Sequence, residues 1–199
     1  GTYSYSQSGR ANPHAVTEVR GPATGSAAGT VSAFSYDANG NLLSDGLSTM
    51  RWNARNELME LKKQSGELTT FGYDHNGGRV SKSNGAGSVI YVSGNYEIET
   101  KAGVITSRVY VYDGSQLVAT AEQTPNVKPA KPKISYTHTD HLGSSSLVTD
   151  ETGAIIQALD YLPFGDERIR TTTVNTPKQF TGKELDEETG LYYYSARYY

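Results

Sequence analysis

Polar and apolar residues alternate with period two over most of this chain, and the alternation predicts strands. From Val31 it becomes regular, with Ser32, Phe34 and Tyr36 on one face and Val31, Ala33 and Ser35 on the other. Further strands are predicted at Leu58–Lys63, Leu68–Tyr73, Ser88–Val92, Ile105–Tyr112, Ile134–Thr139, Ser145–Thr149, Ala154–Tyr161 and Leu191–Tyr199. The cleanest opposes Ile105, Ser107, Val109 and Val111 to Thr106, Arg108, Tyr110 and Tyr112. Tyr3 and Tyr5 alternate with polar neighbours and predict a short first strand. Residues 55–63 are the best helix candidate, but Met59 and Leu61 fit period two and the stretch is read as a strand. Gly21–Gly25 and the polar stretch Arg168–Lys178 are read as loops.

Asp-Gly turns punctuate the alternation. They begin at Asp37, Asp74, Asp113, Asp150 and Asp186, spaced 37, 39, 37 and 36 residues apart, and close on Gly40, Gly77, Gly114, Gly153 and Gly190. Asp accepts amide hydrogen bonds inside a turn, and Gly takes the positive φ that other residues resist. A Tyr precedes the first three: Tyr36, Tyr73 and Tyr112. Gly66, Gly85 and Gly103 supply turns in between. A period of this length marks a repeat architecture, which builds surfaces more often than a compact catalytic pocket. The expectation is an all-β protein, an antiparallel strip of β-hairpins.

Composition narrows this picture. A hydrophobic content of 36% and a mean hydropathy of -0.55 suit a sheet with one wet face better than a large round core. A net charge of -3 offers no electrostatic argument for nucleic acid, and no apolar run is long enough for a membrane-spanning helix. The absence of Cys excludes disulfides, thiol catalysis and Cys-liganded zinc. Residues 122–133 hold three Pro and three Lys and are read as an exposed connector between a repeat region, 1–121, and a second region, 134–199. Those Lys suit a solvated loop better than a polyanion site.

Candidate chemistry is sparse. His138-Thr139-Asp140-His141 resembles a metal or acid/base cluster, but the remaining His are His14 and His75, and a hydrogen-bonded turn leading into Leu142-Gly143-Ser144 is the stronger reading. Ser144–Ser146 lacks a nucleophile elbow. Asp166-Glu167 and Asp186-Glu187-Glu188 suit capping and turns as well as acid/base work. No catalytic, cofactor or metal residue is assigned. The tyrosines are a candidate interaction face: Tyr192, Tyr193, Tyr194, Arg197, Tyr198 and Tyr199 form one strand-like run, in which Tyr193, Arg197 and Tyr199 share a face and Arg197 is placed to stack between phenols. Such rows bind sugars, but they also stabilise sheets through cross-strand pairs, the reading favoured here. Trp52 reads as a core anchor.

The segments Tyr36–Leu42 and Tyr73–Val80 resemble the YD repeat of bacterial RHS proteins. Trp52–Leu58 is similar to the segment between such repeats, and Tyr136–Ser144, Tyr161–Gly165, Phe180–Tyr193 and Ala196–Tyr199 are similar, in order, to the RHS repeat-associated core. The resemblance implies a curled sheet belonging to an RHS-type shell, in which repeat arrays commonly enclose a variable C-terminal toxin. It implies a non-catalytic scaffold, secreted or at the bacterial cell surface. Its partners would be the rest of a larger RHS polypeptide, copies of itself, or an enclosed toxin. A cell-surface module recognising glycan or protein through a Tyr-rich face is the alternative. The family's self-cleavage motif lies beyond the Arg-Tyr-Tyr element at which this chain stops, so no catalytic Asp is carried over. Unpaired edges at Thr2–Tyr5 or Leu191–Tyr199 are expected to pair with another chain.

Overall fold

The computed structural model describes residues 2–5, 13–21, 31–125, 131–174 and 176–199. The chain forms two compact units, Gly1–Gly72 and Tyr73–Tyr199. The expected loop beyond Gly21 and connector residues 126–130 lie outside the described residues.

In the first unit, β1 (Thr2–Tyr5), β2 (Val16–Arg20) and β3 (Val31–Ala33) form an antiparallel sheet. The alternation from Val31 to Tyr36 does not make one strand. Phe34 interrupts it, donating its amide to the Thr17 carbonyl at 2.9 Å, and β4 (Ser35–Tyr36) starts a new pairing. β4 is followed by β5 (Leu42–Ser44), β6 (Ser48–Trp52), β7 (Leu58–Lys63) and β8 (Leu68–Tyr73), whose last residue belongs to the second unit. Leu58, Leu61 and Phe71 are buried here, each worth roughly 1.5–3 kcal/mol. Leu58 and Leu61 are three apart yet both buried because a β-bulge intervenes: Arg51 pairs with Glu60 but Trp52 pairs with Leu58, leaving Met59 as the extra residue. The Trp52 indole N–H donates to the Leu42 carbonyl at 2.7 Å.

The second unit is an antiparallel meander in chain order: β9 (Arg79–Asn84), β10 (Gly87–Ser93), β11 (Tyr96–Lys101), β12 (Val104–Asp113), β13 (Gln116–Gln123), β14 (Lys133–Thr139), β15 (Ser145–Asp150), β16 (Ile155–Tyr161) and β17 (Glu167–Thr172). Glu122 and Lys133, expected in the connector, are instead cross-strand partners at the ends of β13 and β14. β17 corrects the loop expected at Arg168–Lys178: Arg170 pairs with Leu159 and Ile169 with Asp160. Its exposure hid it, since a strand without a buried face shows no apolar period. After β17 the chain leaves the meander and forms a separate pair, β18 (Glu184–Asp186) and β19 (Leu191–Tyr193).

One turn geometry joins many of these strands. In the turns opening at Asp37, Asp74, Asp140 and Asp150, the first residue's amide donates to the carbonyl four residues on, and the Gly amide returns to the first carbonyl. One carboxylate oxygen accepts the amides two and four residues on, as in Asp74 with Asn76 at 2.8 Å and Gly78 at 2.9 Å. Asn53 builds the same turn with its amide oxygen, and Asn56 takes the left-handed position at φ 61°. At Leu162–Gly165 the backbone bonds remain without a carboxylate. Asp113-Gly114 is shorter, with Asp113 paired directly to Gln116.

Glycine substitutions separate conformation from crowding. A Cβ at Gly153 meets no atom within 4 Å, but φ is +84°; Gly153→Ala is expected to cost about 1–2 kcal/mol. Gly94 has equal space without the positive φ, so Gly94→Ala is expected to be near neutral. At Gly87 a Cβ would fall 2.0 Å from the Thr100 carbonyl oxygen, and Gly87→Ala should shift the urea midpoint most.

Candidate functional site

The functional chemistry gathers where residues 176–199 lie on one face of the second unit's meander. Arg79, the first residue of β9, grips Asp186 with both guanidinium nitrogens, at 2.5 and 3.1 Å. Both side chains are essentially withdrawn from water, at 1% and 0% exposure. Arg79 also reaches Glu184 at 3.0 Å. Lys82 binds Asp186 at 2.7 Å and Glu188 at 3.0 Å, and Lys178 binds Glu184 at 3.1 Å. Three cations thus face three carboxylates. The Tyr91 hydroxyl donates to Glu184 at 2.5 Å and accepts from Arg79 at 2.8 Å.

Aromatic rings enclose this network. The Arg79 guanidinium lies 4.1 Å from the Tyr193 ring centre and 4.9 Å from that of Tyr91. The Arg79 amide donates to the Tyr193 hydroxyl at 3.0 Å, and the Tyr73 and Tyr198 hydroxyls meet at 2.7 Å. Burial pushes the phenols of Tyr73 and Tyr192 up to about 12, so they stay protonated. Next to the network, Glu97 accepts from the Tyr110 hydroxyl at 2.8 Å and from Arg108 at 3.1 Å, while Arg108 also binds Glu99 and Glu122. Burial, reinforced by the nearby Glu184 charge and opposed by Lys178, Tyr110 and Arg108, shifts Glu97 upward.

Uncharged contacts hold the segment's other side. Gln179 is fully buried, with its carbonyl accepting from Ser145 at 3.1 Å. The Thr181 amide donates to the Ser144 hydroxyl at 3.0 Å. The Phe180 ring packs between Tyr161 and Tyr192, with centroids at 5.5 and 5.9 Å.

Several sequence expectations change here. Asp186 was read as a turn acceptor. Its carbonyl does close the turn to Gly190, but its carboxylate points to Arg79 and Lys82, because burial demands cations more than the turn demands an acceptor. Leu191–Tyr199 is not one open-edged strand. Ser195 at φ 61° reverses it, and the Tyr192 and Tyr199 backbones bond each other at 2.8 and 3.0 Å, so β19 is paired on both sides. Arg197 does not stack between phenols but is exposed; the stacked guanidinium is Arg79. Of the Tyr run, Tyr192 is buried, Tyr193 and Tyr198 pack on each other at 5.4 Å, Tyr194 bonds Thr181 at 2.6 Å, and Tyr199 remains exposed. Asp140–Gly143 is a turn, and His138 contacts Thr149 at 3.3 Å. Among the described residues no group of three or more His, Cys, Asp or Glu is placed to hold a metal ion, and no helix is long and apolar enough to cross a membrane. Sequence reasoning missed Arg79, Lys82 and Lys178, which stand as isolated cations among polar and apolar neighbours and so look like ordinary solvated charges.

No protein-family model matches the chain. The chain is 33% identical over 178 residues to the tRNA3(Ser)-specific nuclease WapA of Bacillus spizizenii, covering 84% of this chain and 7% of that protein. It is 32% identical over 199 residues to the toxin subunit YenC1 of Yersinia entomophaga, covering 85% of this chain and 20% of that one. The whole chain also superposes on the TcdB2-TccC3 crystal structure, with a TM-score of 0.74 and 21% identity over 12% of that chain. The Photorhabdus luminescens Tc holotoxin pore gives the same TM-score of 0.74 at 20% identity, over 11% of that chain. These structures share the fold, an open antiparallel sheet. The chain spans a small part of the relatives it matches, 7% in WapA and 20% in YenC1.

Removing one partner of the buried pair leaves the other charge without compensation. Asp186→Leu is expected to cost about 3–5 kcal/mol, and the double variant Arg79→Met, Asp186→Leu to cost less than the two single changes summed; urea denaturation of the wild type, both single variants and the double checks this. Burial works against ionised Glu184, but Lys178, Arg79 and Lys82 outweigh it and hold its pKa at about 2, below its ordinary 4.5. A depressed pKa stabilises the fold above the unfolded value. This contribution should be intact above about pH 4.5 and lost as pH falls toward about 2, and Glu184→Gln should flatten that part of the acid-unfolding curve.

Proposed function

We propose that this chain is a wall segment of an RHS-type shell, a non-catalytic scaffold, and that residues 176–199 brace the wall from one face. The observation that carries this reading is that the clustered charged and phenolic groups are engaged in holding the C-terminal segment to the sheet. Arg79 and Asp186 pair through two contacts, Lys82 adds a third on Asp186, and Glu184 is shared among Arg79, Lys82, Lys178 and Tyr91. A meander in chain order with a repeated turn makes a wall, since each strand needs only its neighbours. The fold shared with Tc toxin structures over the whole chain supports the same reading.

The resemblance to RHS repeats and the likeness to WapA and YenC1 support membership in that family. They also support a place within a longer, secreted or surface-borne toxin polypeptide. In that setting the wall would enclose a toxin carried elsewhere in the polypeptide. The Tyr-rich run offers little to a glycan, because Tyr192, Tyr193 and Tyr198 are engaged inside the molecule.

The scaffold reading predicts a chemically inert chain. Purified chain incubated with and without transfer RNA should keep its intact mass and leave the RNA uncut. Specific fragments that disappear on a single Asp→Asn change would overturn it.

A further inference from the structure

The meander's other face is unusual in the opposite sense. Cross-strand register aligns Ile90 with Ile98 and then the polar, uncharged Ser107 and Gln123, Val109 with Tyr96 and Ala121, and Val111 with Ala119, which in turn meets Tyr136. No charged residue occurs in these rows. Glu97, Arg108, Glu122 and Lys133 align with one another in the alternate register and point to the face that carries residues 176–199. The face beneath residues 176–199 buries Glu97 and most of Arg108 beside Tyr110 and Leu117, whereas the opposite face leaves aliphatic side chains in water: Ile90 is 53% exposed, Ile105 51%, Val111 46% and Tyr136 44%. Contiguous apolar surface of this kind marks an interaction site.

We propose that the apolar face of β10–β14 is a sheet-on-sheet docking surface, and that its occupant is the same face of a second copy of this chain. This goes beyond the wall reading and does not depend on it. Three observations favour a copy. First, the rows are neutral, so a two-fold axis brings no like charges together, whereas an acidic or basic partner would bury charges without a counter-ion here. Second, the side chains are largely β-branched and stand on a regular pleat, the surface that interdigitates when sheets pack about 10 Å apart. Third, the area fits. Five strands about 4.8 Å apart, each contributing about 23 Å of length, offer roughly 550 Å² per copy. That puts the pair near about 1,100 Å², the low end for a specific complex, so the association is weak and reversible. It uses a face, and so differs from the edge pairing expected at Leu191–Tyr199.

Sedimentation velocity on the full chain, from micromolar to submillimolar concentration, tests this. The wild type should shift from monomer toward dimer. Ile90→Lys with Val109→Lys should weaken dimerisation by at least about tenfold, with far-ultraviolet circular dichroism unchanged because both side chains are exposed. Val109→Thr, which keeps the branched shape, should weaken it less and guards against a folding artefact. Three results would overturn the proposal: a wild type that stays monomeric throughout, an association that the Lys variant leaves intact, or binding to neutral phosphatidylcholine vesicles without any dimer.

Discussion

A guanidinium removed from water must find an anion, and Arg79 is such a group. Transferring it and Asp186 out of solvent costs several kcal/mol for each ion, and only close, bidentate pairing recovers that cost. Lys82, Lys178, Glu184 and Glu188 extend the same constraint, because each added charge requires the others to stay in place. The C-terminal segment is fixed against β9 and β10 for this reason. Its apolar contacts include Phe180, packed between Tyr161 and Tyr192, and the Tyr193–Tyr198 ring pair.

That constraint sets the polarity of the sheet around β11 and β12. An ordinary one-sided sheet hides its aliphatic residues and wets its charged ones. Here Arg108 and Glu97 lie beneath the C-terminal segment, while Val109 and Val111 on the same strand stay in water. The same inversion underlies both functional readings. A scaffold braced by ions on one side keeps an apolar side available for contact.

Much of the fold was legible in the sequence. Period-two alternation located β7 and β8 with their observed bounds, and the Asp-Gly spacing marked where the chain reverses. The failures have physical causes. β17 has no buried side, so no apolar period announced it. β9 and β11 were overlooked because charged and polar residues occupy them: Arg79 is buried by pairing with Asp186, 107 residues away, and Glu97 by Tyr110 and Arg108. The candidate site was the least legible part. Tyr193 was singled out, but the cation it stacks on is Arg79 and not the nearby Arg197, a choice fixed by the hairpin at Ser195 and invisible to local spacing.

The central claim is that ion pairing, more than apolar packing, holds residues 176–199 on the sheet. Native-state hydrogen exchange on the wild type and on Asp186→Asn tests it most directly. The account predicts that the amides of Leu185, Tyr192 and Tyr194 lose protection together in the variant, while amides of β13 and β14 keep theirs. Unchanged protection across the C-terminal segment, or an equal loss throughout the second unit, would contradict it.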